Sequence, residues 1–142
     1  MNTTGTGTKG ITKLYSATVF VNGLEGAIDF YVNTLGFEKR TDETFDDEGH
    51  RWVEVVPQGS NTALILTHGF GGWSSEKVGG HSGLMFSVDN MASTVETLMA
   101  RGVTFSREPE ATPYGIFADA VDPDGNVLTL HDPALTFDGD AG

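Results

Sequence analysis

The sequence predicts an α+β fold of two βαβββ modules, and three observations carry that prediction. A strand-to-helix unit ending on a glycine occurs twice, the two copies keep a nearly constant spacing, and three alternating segments follow each copy. The spacing is 67 residues between Val21 and Val88, between Leu24 and Met91 and between Ile28 and Val95, and 66 between Gly36 and Gly102.

In chain order, residues 1–10 ("MNTTGTGTKG") hold too little apolar surface to offset the entropy of ordering, so a loose tail is expected there. The first module spans 11–67. "SATVFV" (16–21) alternates as a strand does, and Leu24, Ala27, Ile28, Tyr31 and Leu35 then recur at helical spacing before Gly36 stops the helix. "FEKRTDETF", "HRWVEVVP" and "TALILT" are its three further strands, joined by "DDEG" and "PQGSN". Residues 68–80 form a Gly-rich linker or lid carrying Phe70 and Trp73.

The second module spans 81–133. "GLMFSV" (83–88) is its first strand, Met91, Val95, Leu98 and Met99 mark one face of its helix, and Gly102 is the stop. "VTFSREPE", "GIFADAVD" and "NVLTLHD" follow as strands, and 134–142 is expected to be a second loose tail. The modules together make one structural domain, read as facing each other across a cavity.

Eight Lys and Arg against 20 Asp and Glu give a net charge of −12, which repels nucleic acid and anionic membrane surfaces. The chain has no cysteine, which removes disulfides, thiolate metal sites and a cysteine nucleophile. The first residues lack the apolar stretch of a signal peptide and no run reaches a membrane span, so the expected location is the cytoplasm.

Period 2 along the strands sorts side chains into two faces. Val19, Val21, Leu64, Leu66, Leu84, Phe86, Val88, Leu128 and Leu130 form a bulky aliphatic layer for helices to cover. The opposite face holds Ser16, Thr18, Phe20, Ala63, Ile65, Thr67, Gly83, Met85, Ser87, Val127, Thr129 and His131. It is small, apolar and hydroxyl-bearing, which suits a cavity for an organic molecule. Trp52, Phe70, Trp73, Tyr114 and Phe117 are the aromatics placed to line it. Glu54 shares a face with Trp52; it is either a carboxylate in an apolar cavity, able to act as a base or bind a cation, or one half of an ion pair with Arg40 or Arg51.

The segments "VFVNGLEGAIDFYVNTLGFE", "FSVDNMASTVETLMARGV" and "DPDGNVLTL" together resemble the vicinal oxygen chelate superfamily of glyoxalases, extradiol dioxygenases, fosfomycin-modifying enzymes and bleomycin-resistance proteins, over residues 11–133. The resemblance implies a concave sheet, frequent homodimers and, in the enzymes, one divalent metal held by His and Glu side chains at four strand positions. Laid on this chain those positions are Ser16, Ile65, Gly83 and Thr129, none of which is a metal ligand of that kind. The function expected is therefore that of a metal-free, cofactor-free homodimer binding a small, partly aromatic molecule, as drug-sequestering members do. Thr18, Phe20, Trp52, Phe70, Trp73, Met85, Ser87, Tyr114 and Thr129 are the expected contacts. The alternative is an enzyme, a lyase, isomerase or dioxygenase with a metal displaced onto His81 and His131, or one using Glu54 for acid/base chemistry without metal.

Overall fold

The computed structural model describes residues 9–134, in which eight strands and two α-helices follow the predicted order. The tails expected at 1–10 and 134–142 fall, apart from residues 9–10 and 134, outside the described residues. In the first module β1 (Ser16–Phe20) leads to α1 (Leu24–Ile28), then β2 (Glu38–Thr44), β3 (Arg51–Val56) and β4 (Ala63–Thr67). In the second, β5 (Gly80–Ser87) leads to α2 (Met91–Ala100), then β6 (Thr104–Thr112), β7 (Gly115–Val121) and β8 (Asn126–Asp132). The sheet orders are β1-β4-β3-β2 and β5-β8-β7-β6, so the repeat read in the sequence is a repeat of topology. In each sheet the first strand pairs parallel with the fourth, across the helical crossover, and the other pairs are antiparallel.

The helix stops are where the glycines require them, since Gly36 and Gly102 adopt φ of 85° and 89°, which disfavours any side chain. Asn90 starts α2 by accepting the Ser93 amide at 2.9 Å. Two local features were not predicted. The first helix continues beyond α1 as a π-helical turn over Asp29–Thr34, closed by Leu35 N–H donating to Phe30 at 2.8 Å, and it buries the consecutive rings of Phe30 and Tyr31 edge to face. β5 starts at Gly80, not 83, and its pairing with β8 slips between His81 and Met85, around Gly83 at φ 79°.

The aliphatic faces of both sheets and the apolar sides of both helices share one core. It runs from Val19, Tyr31, Val53 and Leu66 of the first module to Met91, Leu98, Ala118 and Leu128 of the second. Phe37, just past the first helix, packs on Phe86 of β5 with ring centroids 5.7 Å apart. The modules thus meet back to back through their aliphatic layers. The cavity-lining faces, expected to look at each other, point away from the shared core instead: on β5, His81, Gly83, Met85 and Ser87 are exposed while Ser82, Leu84 and Phe86 are half-buried, and on β4 Ala63 and Ile65, though buried, form with Val56 a cluster apart from that core. Burying the more apolar face removes the larger area from water, which decides the orientation.

The two seams between the modules differ. At one, the β7–β8 turn "DPDGN" is bonded to the first module. The buried Asp122 carboxylate accepts the Tyr31 hydroxyl at 2.8 Å, and the Asn126 amide donates both to Asp122 at 2.9 Å and to the Phe20 carbonyl at 3.0 Å. At the other, the β3–β4 turn faces the end of β5 across a cleft of about 530 Å³ lined by Leu35, Phe37, Pro57, Phe86, Leu98 and Leu128. Gln58 in that turn bonds back to its own module at Gly36.

Asp124, in the latched turn, has its carboxyl raised above the ordinary aspartate value by burial and by the charge of Asp122, and its Oδ2 is buried without a hydrogen-bond partner. A folded-state pKa raised in this way opposes folding once pH exceeds the unfolded value. Asp124→Asn is therefore expected to raise the melting temperature at pH 7 and to lose that advantage as pH falls from the raised folded value to the ordinary value of 3.8, below which none is left. Thermal melts across pH check it, and a variant less stable at pH 7 would overturn it. Among the described residues no helix is long and apolar enough to cross a membrane.

Candidate functional site

The outward face of the first module is built around Glu54. β3 places Trp52 and Glu54 on one side, and the Trp52 indole N–H donates to Glu54 at 2.9 Å. A register shift between Lys39 and Thr41 of β2 brings Arg40 in, with Nη2 at 2.7 Å and Nε at 2.8 Å from the same carboxylate. The Tyr15 hydroxyl adds a bond of 2.9 Å, and the Arg40 guanidinium lies over the Tyr15 ring at 5.2 Å. Burial pushes the Glu54 carboxyl up, but bonds from Trp52, Arg40 and Tyr15, with the charge of Arg40, outweigh it and hold the pKa below the ordinary glutamate value. Of the two roles read for Glu54, base and ion-pair partner, the structure displays the ion pair, and the donors of Arg40, Tyr15 and Trp52 on its oxygens make the carboxylate a weaker base than a free glutamate. Arg51 lies on the opposite side of β3, paired with Asp42 at 2.7 Å and with Glu25 of α1.

Beside this pair the indole of Trp52, 37 % exposed, continues into Phe70 (6.2 Å), which meets Phe45 (4.9 Å) and His50 (5.7 Å). His50 joins the Gly-rich linker to the β2–β3 turn, since a Cβ at Gly69 would stand 3.3 Å from its ring. Its Nδ1 is 2.6 Å from Asp46, which with Glu48 makes the one His and carboxylate group among the described residues with ligand atoms within 4.8 Å. Asp46 also caps the turn by accepting the amides of Glu48 and His50, each at 3.0 Å, so the group closes a loop.

The outward face of the second module repeats the plan. Arg107 of β6 bonds Asp119 of β7 at 3.0 Å, and its guanidinium lies 5.7 Å from the Phe117 ring. Phe117 packs on His131 at 4.6 Å, and His131 Nε2 sits 2.9 Å from the Tyr114 carbonyl. The Thr129 hydroxyl, expected to orient a ligand, is buried and donates to Asp119 at 2.7 Å.

The expected contact residues separate into two groups. Thr18, Phe20, Trp52 and Phe70 lie on or beside the first outward face, and Met85, Ser87 and Tyr114 on or beside the second; Met85 is 60 % and Tyr114 80 % exposed. Trp73, read as part of a mobile lid, is held at the end of β1: its indole N–H donates to the Val21 carbonyl at 2.9 Å and its ring packs on His68 at 4.6 Å. Arg40 was one of the two expected partners of Glu54, whereas Phe45, Arg107 and Asp119 were missed. Their signal was available, because the pattern Arg-x-x-Glu followed by aromatic-x-acid occurs at 40–54 and again at 107–119.

The four metal positions implied by the resemblance do not fit a divalent ion. Ile65 offers buried methyl groups, Gly83 has no side chain, Ser16 offers only a hydroxyl, and the Thr129 hydroxyl is taken by Asp119. Nor do His81 and His131 form a displaced pair. His81 stands beside Val127 and His131 beside Ser87, four residues apart on β8, which is ~13 Å along a strand.

The relatives of this chain agree with its topology. The structure of a superfamily member from Sphaerobacter thermophilus DSM 20745 superposes with a TM-score of 0.77 at 40 % identity, covering 86 % of this chain and 98 % of that one. TnmS3, an antibiotic binding protein from Streptomyces sp. CB03234, superposes with a TM-score of 0.77 at 34 % identity, covering 89 % and 100 %. The Bacillus subtilis protein YetH is 28 % identical over 120 residues, covering 84 % of this chain and 98 % of its own. A family model matches residues 13–130, and with the two-module topology it places the molecule: the chain belongs to the Glyoxalase/Bleomycin resistance protein/Dioxygenase superfamily.

Proposed function

We propose that this chain binds a small organic molecule without metal, on a site laid over its outward sheet faces and closed by a second copy of the chain. The observation that carries the reading is the exposed platform of Trp52 and Phe45, 37 % and 50 % exposed, on a face that a lone chain leaves open. Met85 and Tyr114 are likewise exposed on the other module. β1 and β5 are both sheet edges, with backbone groups available to a neighbour. A homodimer that sets the first face of one chain against the second face of its partner would cover both patches and enclose a cavity. The poor fit of the four positions to metal supports binding over metal-dependent catalysis, and the antibiotic-binding relative supports an organic ligand.

A screen of aromatic and antibiotic-like compounds tests this, read by thermal stabilisation and by quenching of Trp52 fluorescence in a Trp73→Phe background. A true ligand at 100 times its Kd adds ~2.7 kcal/mol to stability. Trp52→Ala is expected to weaken its binding by ~1–3 kcal/mol. Sedimentation is expected to give twice the 15.1 kDa chain mass, and protein incubated with Ni, Zn, Mn and Fe(II) is expected to retain only substoichiometric metal. A ligand whose affinity ignores Trp52, or a monomer at binding concentrations, would overturn the site as drawn.

A further inference from the structure

Both outward faces carry the same four-residue device. Each second strand has Arg three residues before Glu, and each third strand has an aromatic two residues before a carboxylate: Arg40, Glu43, Trp52 and Glu54, then Arg107, Glu110, Phe117 and Asp119. Strand register sets Glu43 directly opposite Trp52 and Glu110 directly opposite Phe117. In each set the arginine is engaged by the inner carboxylate, at 2.7 Å in the first module and 3.0 Å in the second. The outer carboxylate is left over. Glu110 keeps a 3.4 Å contact to Arg107, while Glu43 is exposed and pairs with no side chain among the described residues.

Opposite residues of an antiparallel pair share a face with Cβ atoms ~4.5–5.5 Å apart, so Glu43 edges the exposed indole of Trp52. Phe45 and Phe70 extend the platform, and the turn beyond it carries Asp46, Asp47 and Glu48. Between residues 38 and 54 seven carboxylates stand against three Lys or Arg, and all three cations are already paired: Lys39 with Asp42, Arg40 with Glu54, and Arg51 with Asp42 and Glu25. Lys13 lies over the Tyr15 ring, as Arg40 does. The negative face of the indole and the neighbouring carboxylate act in the same sense: both attract a ring that carries positive charge and both repel an anion.

We propose that the outward face of the first module selects a planar aromatic cation, its ring lying on Trp52 and its protonated nitrogen beside Glu43. The inference rests on the small-molecule reading above and adds the charge of the ligand to it.

The test measures the affinity of the full chain for three acridines of one shape: 9-aminoacridine, a cation at neutral pH, acridine, which is neutral, and acridine-9-carboxylate, an anion. The expected order is cation, then neutral, then anion, with the cation weakened by added salt. Glu43 is exposed and unpaired, so its variants keep the fold. E43Q is expected to lower affinity for 9-aminoacridine about two- to fivefold, the range of an exposed ion pair, and to leave acridine unchanged. E43K is expected to put the anion ahead of the cation. Equal binding of all three, or an order that survives both variants, overturns the charge assignment and leaves the small-molecule reading intact. Binding of none of them overturns the inference, while the screen on Trp52 decides the small-molecule reading separately.

Discussion

Asp122→Ala is expected to lower the unfolding free energy by roughly 3–5 kcal/mol, since it removes a buried charged acceptor from donors that stay buried. The carboxylate accepts the Tyr31 hydroxyl at 2.8 Å, the Asn126 amide at 2.9 Å, and the backbone N–H groups of Asp124 and Asn126 at 2.9 and 2.8 Å. After the substitution Tyr31 sits fully buried in the shared core with a hydroxyl that has lost its acceptor. That hydroxyl is already held far from ionisation, chiefly by burial and then by the charge of Asp122, so it cannot adapt by losing its proton. At ~2–4 °C per kcal/mol for a chain of this size, the melting temperature should drop by roughly 6–20 °C. Asp122→Asn keeps the size and one acceptor and should cost about half as much. Denaturant titration measures both, and a loss below ~1 kcal/mol for the alanine variant would show that the turn does not join the modules.

Glu54→Ala comes next, at roughly 2–4 kcal/mol. It leaves Arg40, Tyr15 and Trp52 without their common acceptor, but the Arg40 side chain is 36 % exposed and can rehydrate, which keeps the cost below that at Asp122. The sign with pH is fixed by the direction of the shift. A carboxyl whose folded pKa lies below its unfolded value contributes stability that is complete above the unfolded pKa and lost as pH falls through the folded one. The gap between the natural chain and Glu54→Gln should therefore be full at pH 7 and shrink once pH drops below the ordinary value of 4.5. A gap constant down to pH 3 would mean that Glu54 acts by shape and not by charge.

The repeat made the fold legible, because Ala27 and Tyr31, or Val95 and Leu98, keep helical spacing whatever they pack against. The faces of the strands were legible for the same reason, since side-chain alternation is local. Which face turns inward was not. That depends on the total area each face buries against the other module, a quantity belonging to pairs of residues as distant as Phe37 and Phe86. The centre of each outward face was hidden by irregular register. Arg40 reaches Glu54, and Arg107 reaches Asp119, only because β2 and β6 slip at those residues, and no alternating pattern announces a bulge. Thr129 was placed on the correct face, but its bond to Asp119 was not legible, because that partner comes from a neighbouring strand. That the four implied metal positions carry neither His nor carboxylate was legible, since it needs only the identity of the residues.

The unequal seams give the molecule a mechanical polarity. Where "DPDGN" ties the second module to Phe20 and Tyr31, charge-assisted bonds make a stiff pivot. Across the molecule, at the end of β5, the modules meet around the 530 Å³ cleft, joined there by the Phe37 and Phe86 rings and by the Arg101 guanidinium donating to the Thr34 carbonyl at 2.9 Å, in half-buried or exposed surroundings. A seam of exposed bonds around a cleft yields more readily than one of buried charge-assisted bonds, so thermal bending should rock β5 against the first module about the "DPDGN" edge. Because the outward faces ride on the same two sheets, that rocking changes the angle at which each presents its aromatic platform, giving a rigid pair of modules one adjustable degree of freedom.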